Sequence, residues 1–338
     1  MTTKIWDFNK ADARIEGFLE QVKDVEIIDY TREKSLSQIA SNKAYKMDAV
    51  HLYIDIINLD DILKNTEAEG ERSHQRALRF LNLHYRAVKK IIDNTDSIFV
   101  DFHNQRLHAV IAKPYGENNA DLRIKSAVAI GQLIIDVLNE TGDKDESIDN
   151  AKVRIGIDSG VALAVNNGRK NNREPLFLGE PANHAAKHSN GSVAGIFLTN
   201  TARSLINLDP VKVSKEKAMS FDEIADCQSI ASLQVEKSQI ISDWKDDLKN
   251  TPVGKFVFSA HTPPMKSLDL QKLSAASSKR QEMATVYADI DFFTKYVSDH
   301  IESNPADIVR VLHVLRSELD AVINQDFEGK RVRFIGDC

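Results

Sequence analysis

Cysteine is scarce in this chain, which holds only Cys227 and Cys338 among its 338 residues. Neither stands in a spacing typical of a metal site or a redox pair, so the sequence gives no sign of a disulfide scaffold or a CxxC motif. Apolar runs are no longer than one strand and the start, Met1 to Lys4, is polar. The sequence therefore predicts neither a membrane-spanning helix nor a signal peptide, and a reducing cytoplasm is the expected compartment.

An excess of positive charge is also missing. Lysine and arginine number 44 against 50 aspartates and glutamates, a net charge of -6 that disfavours nucleic acid as a partner. The ten histidines form no HExxH motif, so no zinc site is predicted. The histidines expected at the surface or the core edge are His51, His84, His103 and His108. With 42% hydrophobic and 28% charged residues, the chain has the composition of a soluble globular protein whose length allows two domains.

What the sequence does contain is an ordered pattern of strand, helix, turn and strand near its end. The strand Thr285 to Ile290 includes Asp289, and apolar residues at steps of four and three from Ile308 to Val322 predict a helix with one buried face. A second strand, Val332 to Ile335, runs into a Gly-Asp turn at Asp337. Two carboxylates at the ends of neighbouring strands suit a pair of hard divalent cations that also bind phosphates.

The same order of elements occurs once before. The earlier copy has a strand with a carboxylate near its end, a helix with one apolar face and a second strand: Ala49 to Ile57, Leu78 to Ile92 and Ile98 to Phe102. When the copies are aligned, Asn104 falls on Gly336 and Gln105 falls on Asp337. The first copy has therefore lost one carboxylate, and a site for two cations is not expected in it.

Both copies resemble the catalytic domains of class III nucleotidyl cyclases, the family of adenylate and guanylate cyclases. The family's Phe-Ala-Asp-Ile and following Phe-Thr are matched by Tyr287 to Ile290 and by Phe293 with Thr294, and its Ile-Gly-Asp by Ile335 to Asp337. Its Val-Arg-Ile-Gly-Ile-x-Ser-Gly strand is matched by Val153 to Gly160. The resemblance implies an α/β (α+β) fold with a ferredoxin-like βαββαβ core, in two tandem copies of which the second is incomplete in this chain.

The pattern and the resemblance together predict a domain organisation. Residues 1–45 are expected to form an N-terminal helical extension and 46–262 a first cyclase-like domain with a degenerate metal site. Residues 263–282 are expected to be a polar helical linker, and 283–338 the truncated start of a second domain with the metal-binding carboxylates. Residues 209–252 are charged, have no clear period and receive no assignment.

The resemblance also implies how the two copies share an active site. In the family one domain supplies the metal carboxylates and the other supplies an asparagine and a cation. Here Asp289, the backbone carbonyl of Ile290 and Asp337 would bind two Mg2+ or Mn2+ ions. Asn183 would orient the ribose, and Lys187 stands where the family has an arginine at the phosphate. Lysine keeps the charge but loses the bidentate fork of arginine.

Three residues bear on the choice of base. Arg333 and Leu176 occupy the family's purine-reading places, and Leu176 has no group that can hydrogen-bond to a purine. Tyr287 replaces the usual phenylalanine. Tyrosine with arginine resembles the bacterial pyrimidine cyclases of anti-phage signalling, which make cyclic CMP or cyclic UMP to activate an effector. We predict a cytidylate cyclase first and a uridylate cyclase next. No residue of the sequence decides between a 4-amino and a 4-oxo group.

Other interpretations stay open at this point. One is an adenylate or guanylate cyclase. Another is a non-catalytic cyclase-like protein that dimerises or binds nucleotide, which Gln105 and Lys187 favour. A polymerase-like palm is disfavoured by the acidic balance and by the segment with Asn183. The expected partners are a nucleoside triphosphate, an effector that responds to the product, and a second cyclase copy, either in a homodimer or in an intrachain pseudo-dimer.

Overall fold

The computed structural model describes most of the chain. The described residues are 5–31, 34–64, 70–145, 147–167, 175–252, 254–274 and 276–332. The chain divides into two compact units, here called unit 1 and unit 2. Unit 1 comprises Met1–Met47, Ala162–Gly179 and Phe256–Cys338, and unit 2 comprises Asp48–Val161 and Glu180–Lys255.

The described residues form ten α-helices and nine strands. The helices are α1 Phe8–Gln21, α2 Leu59–Leu63, α3 Glu71–Asp93, α4 Ala120–Leu138, α5 Glu180–Ser189, α6 Asn200–Leu205, α7 Phe221–Ala231, α8 Lys237–Asn250, α9 Phe293–His300 and α10 Pro305–Ala321. The strands are β1 Glu26–Asp29, β2 Lys43–Ile56, β3 Ser97–His103, β4 Arg106–Ile111, β5 Val153–Asn166, β6 Pro175–Leu178, β7 Gly195–Leu198, β8 Val257–Ala260 and β9 Ser277–Arg280.

Unit 2 contains the ferredoxin-like core predicted for the first copy. Its elements follow the order β2, α3, β3, β4, α4 and β5, and the strands lie in the order β3-β4-β2-β5. β4 is antiparallel to both β3 and β2, with Asp55 opposite Arg106. β7 adds to this sheet parallel to β5, with Arg154 opposite Gly195. The βαββαβ prediction is confirmed for the first copy.

The core of unit 2 explains why the helical period was readable in the sequence. On α3 the buried residues include Phe80, Leu83, Ala87 and Ile91, which recur at steps of three and four and so lie on one face. These side chains join apolar residues of the strands and of α4 in one cluster. Burying each large apolar side chain contributes about 1.5–3 kcal/mol. The predicted helix over 78–92 is confirmed and begins earlier, at Glu71.

Two helices, α7 and α8, fill the stretch 209–252 that received no assignment. Ser220 caps α7, because its side chain accepts from the Glu223 N–H while the Glu223 side chain accepts from the Ser220 N–H. On α8 the buried Trp244 donates its indole N–H to the Leu83 carbonyl at 3.0 Å. Few residues of these helices are buried, which is why their apolar period was too weak to read.

Three histidines expected at the surface or core edge are buried. His51 on β2 and His108 on β4 place their ring nitrogens Nδ1 and Nε2 3.0 Å apart. His84 accepts at Nε2 from the Ala151 N–H at 3.1 Å, and only His103 is half-buried as expected. Burial lowers the pKa of His51 to about 3 and that of His84 to about 4, so both are neutral at pH 7.

Unit 1 is built from segments far apart in the chain. β1 runs parallel to the first residues of β2, with Glu26 opposite Lys43. β6 runs antiparallel to the end of β5, with Leu163 opposite Leu178. β8 and β9 form a separate parallel pair. Each of these pairs nevertheless joins two strands that are consecutive in the chain.

An arginine joins the first helix of unit 1 to the last. Arg14 on α1 donates from Nε to Glu318 on α10 at 2.9 Å and from Nη2 to Asp326 at 2.9 Å. All three side chains are less than one fifth exposed. The two carboxylates raise the pKa of Arg14 further above its usual range, so the arginine stays charged.

The second copy is only partly as predicted. The helix is confirmed as α10, with Ile308 and Leu312 buried. The strand over 285–290 is wrong, because the residues from 281 to 290 have no regular structure and Val286 and Tyr287 are 87% and 81% exposed. A strand is stable only beside another strand, and none of the described strands pairs with this segment.

The predicted helical linker over 263–282 is also wrong. Short 3-10 turns lie at Met265–Ser267 and Leu270–Lys272, and β9 then pairs with β8. The two compact units have other boundaries than the predicted domains, since unit 1 unites the N-terminal residues with two later segments. The division into cyclase copies stays a prediction. Among the described residues, no helix has the length and apolar character needed to cross a membrane.

Candidate functional site

Helix α5 brings together the two residues predicted to act on ribose and phosphate. It follows β6 and begins at Glu180. Asn183 and Lys187 are four residues apart and so lie on one face. Asn183 is half-buried, and Lys187 is exposed. The structure therefore places an amide and a cationic chain end side by side on the surface of unit 2.

A glycine of β5 lets α5 pack directly on the strand. A Cβ atom at Gly156 would lie 2.1 Å from the Ala185 carbonyl oxygen and 2.4 Å from the Ser189 nitrogen. Both contacts are with backbone, so no side chain could move aside. The glycine in the Val-Arg-Ile-Gly run thus fixes how closely α5 approaches the sheet.

Arg154 holds the other end of α5. The side chain is buried and donates from Nε to the His188 carbonyl at 2.7 Å and from Nη1 to the Val193 carbonyl at 3.2 Å. Its guanidinium also lies 3.4 Å from the centre of the Phe197 ring. Arg154 therefore joins β5, the end of α5 and β7, and its role in the family-like run is structural.

A buried aspartate and a histidine, neither of them predicted as site residues, lie beside this face. Asp158 is 2% exposed and accepts from the Thr199 hydroxyl at 2.5 Å and from the Ser159 N–H at 2.9 Å through Oδ1. Its other oxygen lies 3.1 Å from Nδ1 of His184 on α5. The hydrogen bond with Asp158 raises the pKa of His184, against a smaller effect of burial.

The signal for this pair was present in the sequence. Asp158 fills the open position of the family's Ile-x-Ser-Gly, and His184 directly follows Asn183. The next histidine of α5 differs, because His188 is bonded through both ring nitrogens, to the His184 carbonyl and the Ser214 hydroxyl, each at 2.8 Å. Burial lowers the pKa of His188, so the two histidines have opposite charge preferences.

In the first copy an arginine lies where the second copy is predicted to bind a cation. Asp55 is 6% exposed, and Arg106 donates from Nη2 to its Oδ2 at 2.7 Å. Asn104 at the tip of the β3–β4 turn has a φ of 54°, a conformation that glycine adopts easily and that suits its alignment with Gly336. Asp55, the one carboxylate that this copy keeps, is thus paired with a cation of the protein itself.

The predicted metal ligands of the second copy are only partly described. Asp289 is exposed, and its Oδ1 accepts from the Ile290 N–H at 3.0 Å. The Ile290 carbonyl accepts from the Phe293 N–H at 3.2 Å. Asp337, the other predicted carboxylate, lies outside the described residues.

The donor set nevertheless fits the predicted ions by its chemistry. Carboxylate and backbone carbonyl oxygens are the hard ligands that Mg2+ and Mn2+ prefer. Among the described residues, those around Asp289 included, no group of three or more His, Cys, Asp and Glu side chains could hold a metal ion. The binding of a cation by Asp289 and Ile290 stays a prediction.

The predicted base-reading residues fall in different surroundings. Tyr287 is 81% exposed and neighbours Asp289 in the chain. Leu176 is buried on β6 opposite Val165, in the core of unit 1. Arg333 lies outside the described residues. Leu176 thus packs in the core, and its part in base choice stays a prediction.

Known proteins resemble this chain over nearly its whole length. A uridylate cyclase from Pseudomonas aeruginosa is 52% identical over 339 residues, which cover 99% of this chain and 66% of that protein. A uridylate cyclase from a Rhizobium species is 34% identical over 322 residues, covering 90% of this chain and 62% of that protein. The chain therefore spans slightly under two thirds of the length of each curated relative.

A solved structure matches this chain over its whole length. The crystal structure of a class III adenylyl cyclase-like ATP-binding protein from Pseudomonas aeruginosa superposes with a TM-score of 0.95. It is 51% identical, and the match covers 100% of this chain and 72% of that one. No family model matches the chain. With this identity, coverage and fold, the chain belongs to the class III adenylyl cyclase-like family.

Proposed function

We propose that this chain is part of a nucleotidyl cyclase that converts UTP to cyclic 3',5'-UMP and pyrophosphate. The observation that supports it best is the 52% identity with a uridylate cyclase over 99% of the chain. The face of α5 with Asn183 and Lys187 supplies an amide and a cation of the kind that the reaction needs. The chain spans 66% of that relative, so the activity is assigned to the full-length protein.

The choice of UTP revises the sequence prediction, which placed CTP first. Both curated relatives are uridylate cyclases, and neither is a cytidylate cyclase. A pyrimidine is further supported by the presence of both Tyr287 and Arg333 in the sequence, because these two large side chains favour a single-ring base. No described residue distinguishes a 4-oxo from a 4-amino group, so the preference for UTP over CTP depends on the relatives.

Each residue of the site has a distinct task in this proposal. Asn183 hydrogen-bonds the ribose and holds its 3'-hydroxyl towards the α-phosphate. Lys187 places its charge against the phosphate oxygens, where negative charge grows in the transition state. Tyr287 and Arg333 enclose the base. Positioning and charge account for most of the rate enhancement, as is usual in phosphoryl transfer.

The metal ligands of the proposed site are Asp289, the Ile290 carbonyl and Asp337. Two Mg2+ or Mn2+ ions bound there would lower the pKa of the 3'-hydroxyl and neutralise the triphosphate. Asp289 is exposed in a segment without regular structure, so its carboxylate is accessible to a cation. The pairing of Asp55 with Arg106 leaves the first copy without this role.

The biological role follows the same resemblance. Tyrosine and arginine in these places are typical of bacterial anti-phage pyrimidine cyclases, so we assign the cyclic nucleotide to a second-messenger role. An effector that binds cyclic UMP is then the downstream partner. The active site is assembled between two cyclase copies, in a homodimer or within one chain.

A nucleotide panel tests the proposed reaction. We expect full-length protein with Mn2+ to form cyclic UMP from UTP at least about tenfold faster than any cyclic product from CTP, ATP or GTP, because one hydrogen-bonding pattern of a base is worth that much discrimination. Products are quantified by mass spectrometry. Cyclic CMP as the main product would return the assignment to CTP, and a purine product would contradict the base argument. No product at all would favour the non-catalytic alternative.

A second experiment tests the division of labour between the copies. Asp55→Asn is expected to leave the rate of cyclic nucleotide formation within about twofold, because Arg106 already occupies the place of a cation. It should lower the free energy of unfolding by about 1.5–3 kcal/mol, the loss of one charge-assisted hydrogen bond. Rates are compared with urea unfolding of the same variant. A loss of rate without a loss of stability would place a catalytic cation at Asp55.

A further inference from the structure

His184 is held in one orientation by a carboxylate that is itself fixed. Asp158 accepts hydrogen bonds from Thr199 and Ser159 through one oxygen, which leaves Oδ2 for the histidine. Asp158 is an acceptor only, so Nδ1 of His184 is the donor. The side chain of His184 is 42% exposed while that of Asp158 is 3% exposed. The ring edge with Nε2 is therefore the part of this pair that is available to a ligand.

The position of His184 on α5 places it next to Lys187. Successive residues of an α-helix are rotated by about 100° about the axis. Lys187 therefore lies about 40° from Asn183, and His184 lies about 60° beyond Lys187 on the same side. The three side chains form one strip on the helix surface, in the order Asn183, Lys187, His184.

The charges around His184 favour its protonated form. Asp158 faces it from β5, and Glu180 faces it from one turn earlier on α5. Lys187 on the same helix opposes protonation, and His188 is close but kept neutral by burial. Asp158 has the largest effect and raises the pKa of His184. The protonated form of His184, which would place a second positive charge beside Lys187, is thus favoured over that of a free imidazole.

We infer that His184, oriented by Asp158, is a second cationic donor to the triphosphate of the substrate and acts together with Lys187. The inference rests on the proposed function and assigns a residue to the same site. It accounts for the lysine at position 187: a lysine offers one charge without the fork of an arginine, and the imidazolium supplies a second donor beside it.

The chemical step stays balanced with His184 in this role. The 3'-oxygen forms a bond to the α-phosphorus, and the bond from that phosphorus to the bridging oxygen of pyrophosphate breaks. The bridging oxygen leaves with the electron pair, and the proton of the 3'-hydroxyl passes to solvent. His184 donates a hydrogen bond from Nε2 to a phosphate oxygen and keeps its proton throughout.

Histidine NMR of the full-length protein tests binding without requiring turnover. The signal of His184 is assigned by its loss in His184→Gln and titrated with pH, with and without saturating inorganic tripolyphosphate. We expect tripolyphosphate to move the titration of His184 to higher pH, because the bound anion stabilises the imidazolium. The signal of His188 should not move. An unchanged titration of His184 would overturn the inference.

Kinetics then test the role in the reaction. With UTP, His184→Gln is expected to lower kcat about 100-fold, the usual cost of one preorganised donor to a developing charge. His184→Lys should recover part of this loss, and the matched control His188→Gln should stay near wild type. Wild-type kcat should fall as pH rises through the titration of His184. Asp158→Asn should move this fall to lower pH, because it removes the charge that holds the proton.

Two results separate this inference from the proposed function. If no nucleotide is cyclised but tripolyphosphate still shifts the titration of His184, the proposed function fails and the phosphate contact stands. If UTP is cyclised and His184→Gln keeps the wild-type kcat and pH profile, the function stands and the inference is overturned. A purely structural role would lower the stability of both the His184 and Asp158 variants without changing either profile.

Discussion

Asp289→Ala is expected to lower the rate of cyclic UMP formation about 1000-fold while leaving the fold unchanged. The carboxylate is proposed to hold the metal ions, whose charge stabilises the transition state by several kcal/mol. Each 1.36 kcal/mol corresponds to about tenfold in rate, which gives the expected factor. Asp289 is exposed and its Oδ1 accepts from the adjacent Ile290 N–H, so we expect its removal to cost little stability. Product formation with Mn2+ and UTP is measured by mass spectrometry.

Asp291 provides the matched control for this experiment. It is also an exposed carboxylate, two residues away in the same segment. Asp291→Ala should form product at close to the wild-type rate, and circular dichroism should show both variants folded. An equal loss in the two variants would mean that the charge of the segment, and not a metal ligand, is what matters. A wild-type rate in Asp289→Ala would contradict the two-cation site.

Arg123→Met is expected to lower the free energy of unfolding of unit 2 by about 3–5 kcal/mol, the cost of breaking a buried charged network. The side chain of Arg123 on α4 is fully buried. It donates to the Pro114 and Gly116 carbonyls, each at 2.8 Å, and to the carboxylate of Asp48 at 2.5 Å. Methionine fills much of the volume but leaves all three acceptors without this donor.

Trp244 gives a local probe for this measurement. It is buried on α8 within unit 2, whereas Trp6 belongs to unit 1 and is 46% exposed. In a Trp6→Phe background, urea unfolding followed by fluorescence reports on unit 2 alone. Lys125→Met is the control, because its partly exposed ion pair with Asp121 is worth at most about 1 kcal/mol. Similar unfolding midpoints for the two variants would show that the Arg123 network contributes little.

The sequence predicted elements whose signal is local and strong. The helices α3 and α10 were found because their apolar residues repeat with the helical period, which survives in any surroundings. The segment 285–290 was wrongly predicted to be a strand because the prediction used only its own apolar residues. A strand also needs a neighbouring strand, which comes from elsewhere in the chain. The helices α7 and α8 were missed because contacts with the neighbouring helices α4 and α3 of unit 2, rather than a long apolar face, stabilise them.

The residues of the candidate site likewise separate into those that a local sequence pattern predicts and those that it does not. Asn183 and Lys187 were predictable as a pair because four residues make one helical turn. The bond between Asp158 and His184 joins residues 26 apart, and it depends on the close packing of α5 on β5. Likewise, Asp55 meets Arg106 through the register of β2 and β4, across 51 residues. Contacts of this kind follow from tertiary packing, which the local pattern of residues does not determine.

The salt bridges of Arg14 have a consequence for how the protein folds during synthesis. Arg14 leaves the ribosome early, but its partner Glu318 is translated 304 residues later. All of unit 2 has emerged by then, and domains generally fold as units when their residues become available. Unit 2 can therefore fold before α10, the partner of α1, has been synthesised. During that interval Arg14 has neither of its two carboxylate partners, so these salt bridges form only after synthesis has passed Asp326.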